Sequence, residues 1–403
     1  MTGRAVILLS LAAFASAASL RATDPLLAPI SAEYGVTPGA ASLVITSFAL
    51  SYGLFQVFHG PIGDRYGKFR MVMLTTAFSG LTTFLCAAAP GVGLLVAARF
   101  IAGITIGALI PLSMAWIGDV VPYERRQATI ARFLIGQMLG VAFGAAAAGM
   151  LGAWFGWRAI FVLLGLLFVA IAALLRVEMG RNVALVHSGS DAVSLFAGFG
   201  RMVGLLRRPW VRVILATVAL EGALANGAFA FIAWDLHARH GVSLGASGLY
   251  IAAFPAGGLL YAAVAQRVVP ALGERGLVLA GGAFLGVAYL AMTVAPGAGL
   301  VLACIFCAGV GIYMMHNTLQ VHATQMAPEA RGAAVSLFAL CLFTSQSIGI
   351  WLAARVVDGW GIVPVFAAAG VGLPLVALDF RRRLARERGQ TPVDKSGALT
   401  NVK

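Results

Sequence analysis

Of 403 residues, 60% are hydrophobic and 11% charged, and the mean hydropathy is +0.92. A water-soluble domain carries about 25% charged residues to cover its surface, so this composition excludes one and assigns the chain to a lipid bilayer. The net charge of +13 would point to nucleic acid only if the basic residues gathered on one folded face; they are spread over many short connections, and no nucleic-acid partner is expected.

A helix crosses the hydrocarbon core in about 20 apolar residues. Runs of that order occur at 5–32, 38–59, 70–89, 91–117, 128–152 and 158–175, and after a polar stretch at 210–235, 245–266, 276–295, 298–324, 333–354 and 360–379. Their apolar residues are continuous rather than alternating, which argues against a β-barrel. The predicted fold is an all-α membrane protein with twelve transmembrane helices in two pseudo-symmetric six-helix bundles. The N-terminal bundle spans 1–176, a linker 177–208, the C-terminal bundle 209–380 and a basic tail 381–403. Ser188-Gly189-Ser190 supplies flexibility to the linker, and 191–206 has the pattern of a short amphipathic surface helix. Residues 5–20 share features with a cleaved signal peptide, but removing them would break the two-half pattern, so they are read as the first span.

Most of the 28 basic residues fall on alternate connections and on both ends of the chain; Arg158, Arg239 and Arg355 fall on the opposite side. The positive-inside rule then predicts both termini in the cytoplasm, in a bacterial-type inner membrane. A shift of 206 residues places Pro122, Arg125 and Trp154 on Pro328, Arg331 and Trp360, so the halves repeat in register. Parallel six-helix repeats are the architecture in which one half rocks against the other around a central site.

Charges inside lipid spans are costly and mark pathways or proton relays. Arg21 and Asp24, three residues apart in the first span, share a face and can neutralise each other. Arg99 in the fourth span lies at a depth matching Asp24, and Glu221 lies near the middle of the seventh. Static buried ion pairs are the alternative reading of these four. Asn226, Tyr313, His316, Asn317 and Gln320 are polar positions for a substrate cavity, unless they only bond within the bundle. His322, six residues from His316, faces elsewhere, which argues against a metal site. His237 and His240 flank an outer loop and are expected to be solvated. Cys86, Cys304, Cys307 and Cys341 all sit in apolar runs as packing residues.

Between the second and third spans stands Gly60-Pro61-Ile62-Gly63-Asp64-Arg65-Tyr66-Gly67-Lys68-Phe69-Arg70. Its glycines allow a tight turn, and Asp64 can pair with cations or cap a neighbouring helix. This segment resembles the G-x-x-x-D-R-x-G-r-k signature of the major facilitator superfamily. Thr23 to Ile30, then Gly53, Gln56 and Gly60-Pro61, resemble the first and second helices of its drug:proton antiporter branch. Arg99 with Gly103 and Gly107 resembles the fourth-helix arginine motif, with Ala102 in place of the usual Gln. In the fifth span Gly136, Gly140, Gly144, Gly149 and Gly152 resemble the glycine-rich antiporter motif, with Ala145 where Pro is usual; small-residue packing explains them equally. The counterpart of the loop motif in the second half, Gln266 to Gly276, keeps Arg267, Gly273 and Arg275 but has no matching Asp.

The resemblance implies a monomeric secondary transporter that exports a small organic solute, drug or metabolite, in exchange for protons. Asp24, Arg21, Arg99 and Glu221 would serve coupling, and Gly60, Asp64, Arg65, Gly67 and Lys68 would form a conformational gate. The expected partners are solute, protons and lipid; no cofactor or metal is expected beyond the proton gradient. Proton-coupled uptake is the alternative, and a membrane-embedded receptor or enzyme the rival from another class. The absence of a P-loop argues against an ATP-driven pump, and no His, Cys or carboxylate group has triad or metal spacing, so an enzyme is not expected.

Overall fold

The computed structural model describes residues 2–182, 200 and 202–390. Among these, ten helices are long and apolar enough to cross a membrane, and eleven if Pro38–Leu54 and Gln56–Tyr66, bent by 49°, form one span. The run Leu244–Thr293 has 50 residues. As one helix it would be about 75 Å long, more than twice the hydrocarbon thickness. Gly273, with φ 60° and ψ 175°, breaks it into two, which brings the spans to twelve. The sixth helix, Arg158–Arg181, and the last, Val363–Gln390, both run past the boundaries expected at 176 and 380. Ser188-Gly189-Ser190, most of the 191–206 segment and the tail beyond 390 lie outside the described residues.

The backbone repeats at the same interval as the sequence. Gly35 and Gly241 both have φ 62°, and Gly67 and Gly273 have φ 88° and 60°. Thr37 and Ser243 each cap the helix they precede, accepting from the N–H groups of Ala40 and Ala246. Gly91 and Gly297 precede the fourth and tenth spans in extended conformation. Each pair stands 206 positions apart. The left-handed backbone at the first two pairs costs other L-residues about 1–2 kcal/mol, which is why glycine holds these turns.

Small residues set the packing. Apolar burial cannot drive association between helices already in lipid, so close backbone contact must. Gly136, Gly140 and Gly144 seat the fifth span (Tyr123–Phe155) on Ser10, Phe14 and Ala18 of the first, four residues apart on both helices. A Cβ at Gly140 would run into the Phe14 carbonyl. Similar contacts join the halves. Gly149 lies against Leu244 and Gly248. In the middle of the second span Gly53 meets Phe343, whose ring centroid is 4.5 Å from that of Tyr52. A cavity of about 820 Å³ opens at the end bearing the termini, lined by the first and fifth spans with Arg125 and Arg132 on its wall.

Candidate functional site

The first span is interrupted where its charges lie. Its helix Thr2–Arg21 stops, a single 3-10 turn Asp24–Leu26 follows, and a helix resumes at Leu27–Tyr34. Pro25 contributes no N–H, so the ladder cannot run through unbroken. The break turns the Asp24 carboxylate inward, where it is fully buried. Arg21 Nη1 donates to Asp24 Oδ2 at 3.3 Å, while Asp24 Oδ1 is buried without a hydrogen bond. Arg21 Nη2 donates to Asn226 Oδ1 at 3.0 Å, and the guanidinium lies 4.6 Å from the Phe229 ring centroid. One arginine is thus shared between a carboxylate of its own half and an amide of the other.

Arg99 is buried next to this group. Nη2 donates to Ser19 O at 3.3 Å and Thr23 Oγ1 at 3.1 Å, Nε donates to Val44 O at 3.4 Å, and the guanidinium rests 3.8 Å from the Phe48 ring centroid. Its immediate partners are neutral, and Asp24 lies within electrostatic reach. Arg99 therefore fixes both sides of the break in the first span, through Ser19 before it and Thr23 at its edge.

In the second half, Glu221 ends the helix Pro209–Glu221 and is followed by a π-helical segment, Gly222–Asn226. Such segments recur at functional sites because the widened turn redirects side chains. Glu221 is buried; its Oε2 lies 2.8 Å from His316 Nδ1 and its Oε1 has no hydrogen bond. Asn226, at the end of the segment, faces Arg21. A small cavity of about 10 Å³, space for about one water, lies beside Asn226, Phe229, Phe254 and Tyr289. Tyr313 packs against Phe254, with centroids 6.4 Å apart, Asn317 is half-buried, and Gln320 is exposed one turn beyond His316.

The loop motif is built within the first half. Lys68 Nζ lies 3.0 Å from Asp64 Oδ1 and 2.5 Å from Asp119 Oδ2, so it ties the loop to the end of the fourth span. Gly67 supplies the left-handed turn, Arg65 lies over Tyr66 at 5.3 Å, and Gly60 has open space where a side chain would stand. His240, contrary to the expectation for an outer loop, is not solvated: its side chain is 7% exposed and lies 3.9 Å from the buried Asp235. Asp235, which sequence reasoning missed, is held by Arg239, whose Nη2 also reaches Met292 O at 3.0 Å. The four-residue spacing of Asp235 and Arg239 was the available signal. His322 lies 3.4 Å from Glu274, between Trp210 and Phe380. Among the described residues no group of three His, Cys, Asp or Glu could hold a metal ion.

Two six-helix halves meeting at a buried, charged centre define a membrane transporter rather than an enzyme. Residues 9–350 match the model of the Major Facilitator Superfamily, and the chain belongs to that family. An MFS-type transporter of Bacillus subtilis (strain 168), YceJ, is 25% identical over 82% of this chain and 83% of its own length. The multidrug export protein EmrB of Haemophilus influenzae is 26% identical over 58% of this chain and 48% of its own. Among solved structures, a peptide transporter POT in complex with sulfate superposes with a TM-score of 0.80 at 16% identity, covering 96% of this chain and 95% of that one.

Proposed function

We propose that this transporter exports a small organic solute in exchange for protons by alternating access, with Asp24 as the principal proton carrier. The observation that carries this reading is the shared arginine. Arg21 bonds Asp24 in its own half and Asn226 across the interface, and the second oxygen of Asp24 is unpartnered. Protonating Asp24 removes the charge that holds Arg21, so the bond across the interface changes strength with the proton. A proton and a solute that both need this centre then exclude one another, which is what exchange requires. Glu221 with His316 is the corresponding candidate on the other half. The presence of a multidrug export protein among the relatives supports export.

In this reading the protein is a monomer in a bacterial-type inner membrane, with both termini cytoplasmic, and the proton gradient is its energy source. The cavity between the first and fifth spans then lies toward the cytoplasm. The test is purified protein in liposomes, challenged with a library of organic solutes, with solute flux and internal pH followed together. Solute movement that leaves internal pH unchanged would refute proton exchange, and co-directional movement of solute and protons would establish uptake by cotransport instead.

A further inference from the structure

At the end remote from the termini the eleventh span, Arg331–Trp360, closes over the first turn of the second, Pro38–Ala41. Thr37 Oγ1 donates to Asp358 Oδ2 at 2.7 Å, and the Gly39 N–H donates to Asp358 Oδ1 at 2.9 Å. The Thr37 hydroxyl oxygen also accepts from the Ala40 N–H at 3.1 Å. Asp358 thus completes a helix cap that belongs to the other half. The first N–H groups of a helix lack partners within it and carry partial positive charge, so a carboxylate satisfies them in both respects. Gly39 permits the approach: a Cβ there would lie 2.6 Å from the Asp358 carboxyl carbon and 2.8 Å from Ala354 O.

The internal repeat makes this contact one-sided. The equivalents of Thr37 and Asp358, 206 residues away, are Ser243 and Gly152. At that seam Ser243 caps Ala246, and Gly152 faces the Leu244 side chain. Two interfaces related by the repeat are therefore closed differently, one by small-residue packing and the other by a charge-assisted bond. Thr37 and Asp358 are exposed, so water can replace the bonds that are lost when the seam parts. A fully buried carboxylate would be stranded by the same movement.

We propose that Asp358 is the latch of the far end: it holds the second and eleventh spans together while the terminus-bearing end is open, and it releases Thr37 and Gly39 before the central site opens to the other side. It acts on the balance between conformations and is not among the partners of Arg21, Asp24 or Asn226. The latch does not depend on the direction of transport or on the solute.

The test is the distance between spin labels at Gly93→Cys and Gly299→Cys, repeat-related positions at the far end with open space around them. It uses the full chain in lipid nanodiscs with the four native cysteines replaced by serine. Asp358→Ala should raise the ratio of far-end-open to far-end-closed molecules by about fivefold to thirtyfold, the span of one to two lost hydrogen bonds. Asp358→Asn, which keeps an acceptor oxygen, should fall between Asp358→Ala and the parent. Gly39→Ala keeps every charge but displaces the carboxylate, and should move the ratio in the same direction. If Asp358→Ala fails to fold, the Asn and Gly39 variants carry the measurement. Distance distributions identical to the parent in folded Asp358→Asn and Gly39→Ala proteins would overturn the latch.

Discussion

Arg21 and Asn226, 205 residues apart, are joined by a 3.0 Å hydrogen bond that crosses between the two halves. The same guanidinium holds Asp24, so the charge state of one carboxylate bears on a contact between the two halves. Its cost is the burial of an ion pair in a lipid-embedded protein, tolerated where each charge is matched by a partner.

Neutralising that carboxylate separates coupling from folding. Asp24→Asn preserves shape and a hydrogen-bond acceptor for Arg21, so the protein should fold and still equilibrate solute down its gradient. Proton-driven accumulation in inverted vesicles should fall at least tenfold. Glu221→Gln, measured beside it, should retain most of the driven transport; if the two results are reversed, the proton is carried by the second half.

Arg99 is expected to matter chiefly for stability. Arg99→Ala removes the bonds to Ser19, Thr23 and Val44 and the contact with Phe48, and leaves a cavity. The loss should be about 2–4 kcal/mol, read as a lower melting temperature in detergent. Arg99→Lys should lie between the two, since an ammonium cannot reproduce the planar fork.

Glycine substitutions should divide by what surrounds them. Gly140→Val and Gly144→Val drive side chains into the Phe14 and Ala18 backbone and should cost about 1–3 kcal/mol or abolish expression. Gly118→Ala, in a helix with nothing within 4 Å, should be neutral or stabilising by about 0.5 kcal/mol. Thermal melts of the three variants provide the comparison.

Lys68 sits between two carboxylates, so its removal should tell more than the loss of either. Asp64→Asn leaves the contact with Asp119, whereas Lys68→Met leaves Asp64 and Asp119 without their shared cation. Both groups are partly exposed, and stability should change by less than about 1 kcal/mol. If the loop serves as a gate, Asp64→Asn should increase labelling of cysteine probes at the terminus-bearing end, and unchanged labelling would make it a passive turn.

Orientation is checked by reporter fusions. Reporters after Gly189 and at the C terminus should read cytoplasmic, and one at Gly35 periplasmic, by the distribution of basic residues. A periplasmic reading after Gly189 would invert the proposed direction of the open cavity.

Much of the architecture was legible because bilayer thickness fixes the length of an apolar run, and because the spacing of Pro122 and Pro328 already carried the repeat. Arg21 and Asp24 could be paired from their three-residue separation. What local spacing does not encode is the partner across a helix interface. Glu221 and His316 both stood out as polar residues in apolar spans, but their meeting depends on how the seventh and tenth spans pack. The same holds for Asn226 against Arg21. The four-residue spacing of Gly136, Gly140 and Gly144 marked a contact face, while its complement, the Ser10, Phe14 and Ala18 ridge, carries no special residue type. Asp358 carries no local signal, because the Gly39 N–H and the Thr37 hydroxyl from which it accepts lie more than 300 residues earlier.

The matched glycines at 35 and 241, and at 67 and 273, give the two halves the same first two chain reversals. A polypeptide severed between the sixth and seventh spans would therefore leave two fragments that each keep these turns and the contacts within their own bundle. Co-expressed from separate genes, such fragments are expected to reassemble in the bilayer through the Gly149–Gly248 and Gly53–Phe343 seams, and a defective copy of one half should be rescued by a sound copy supplied in trans.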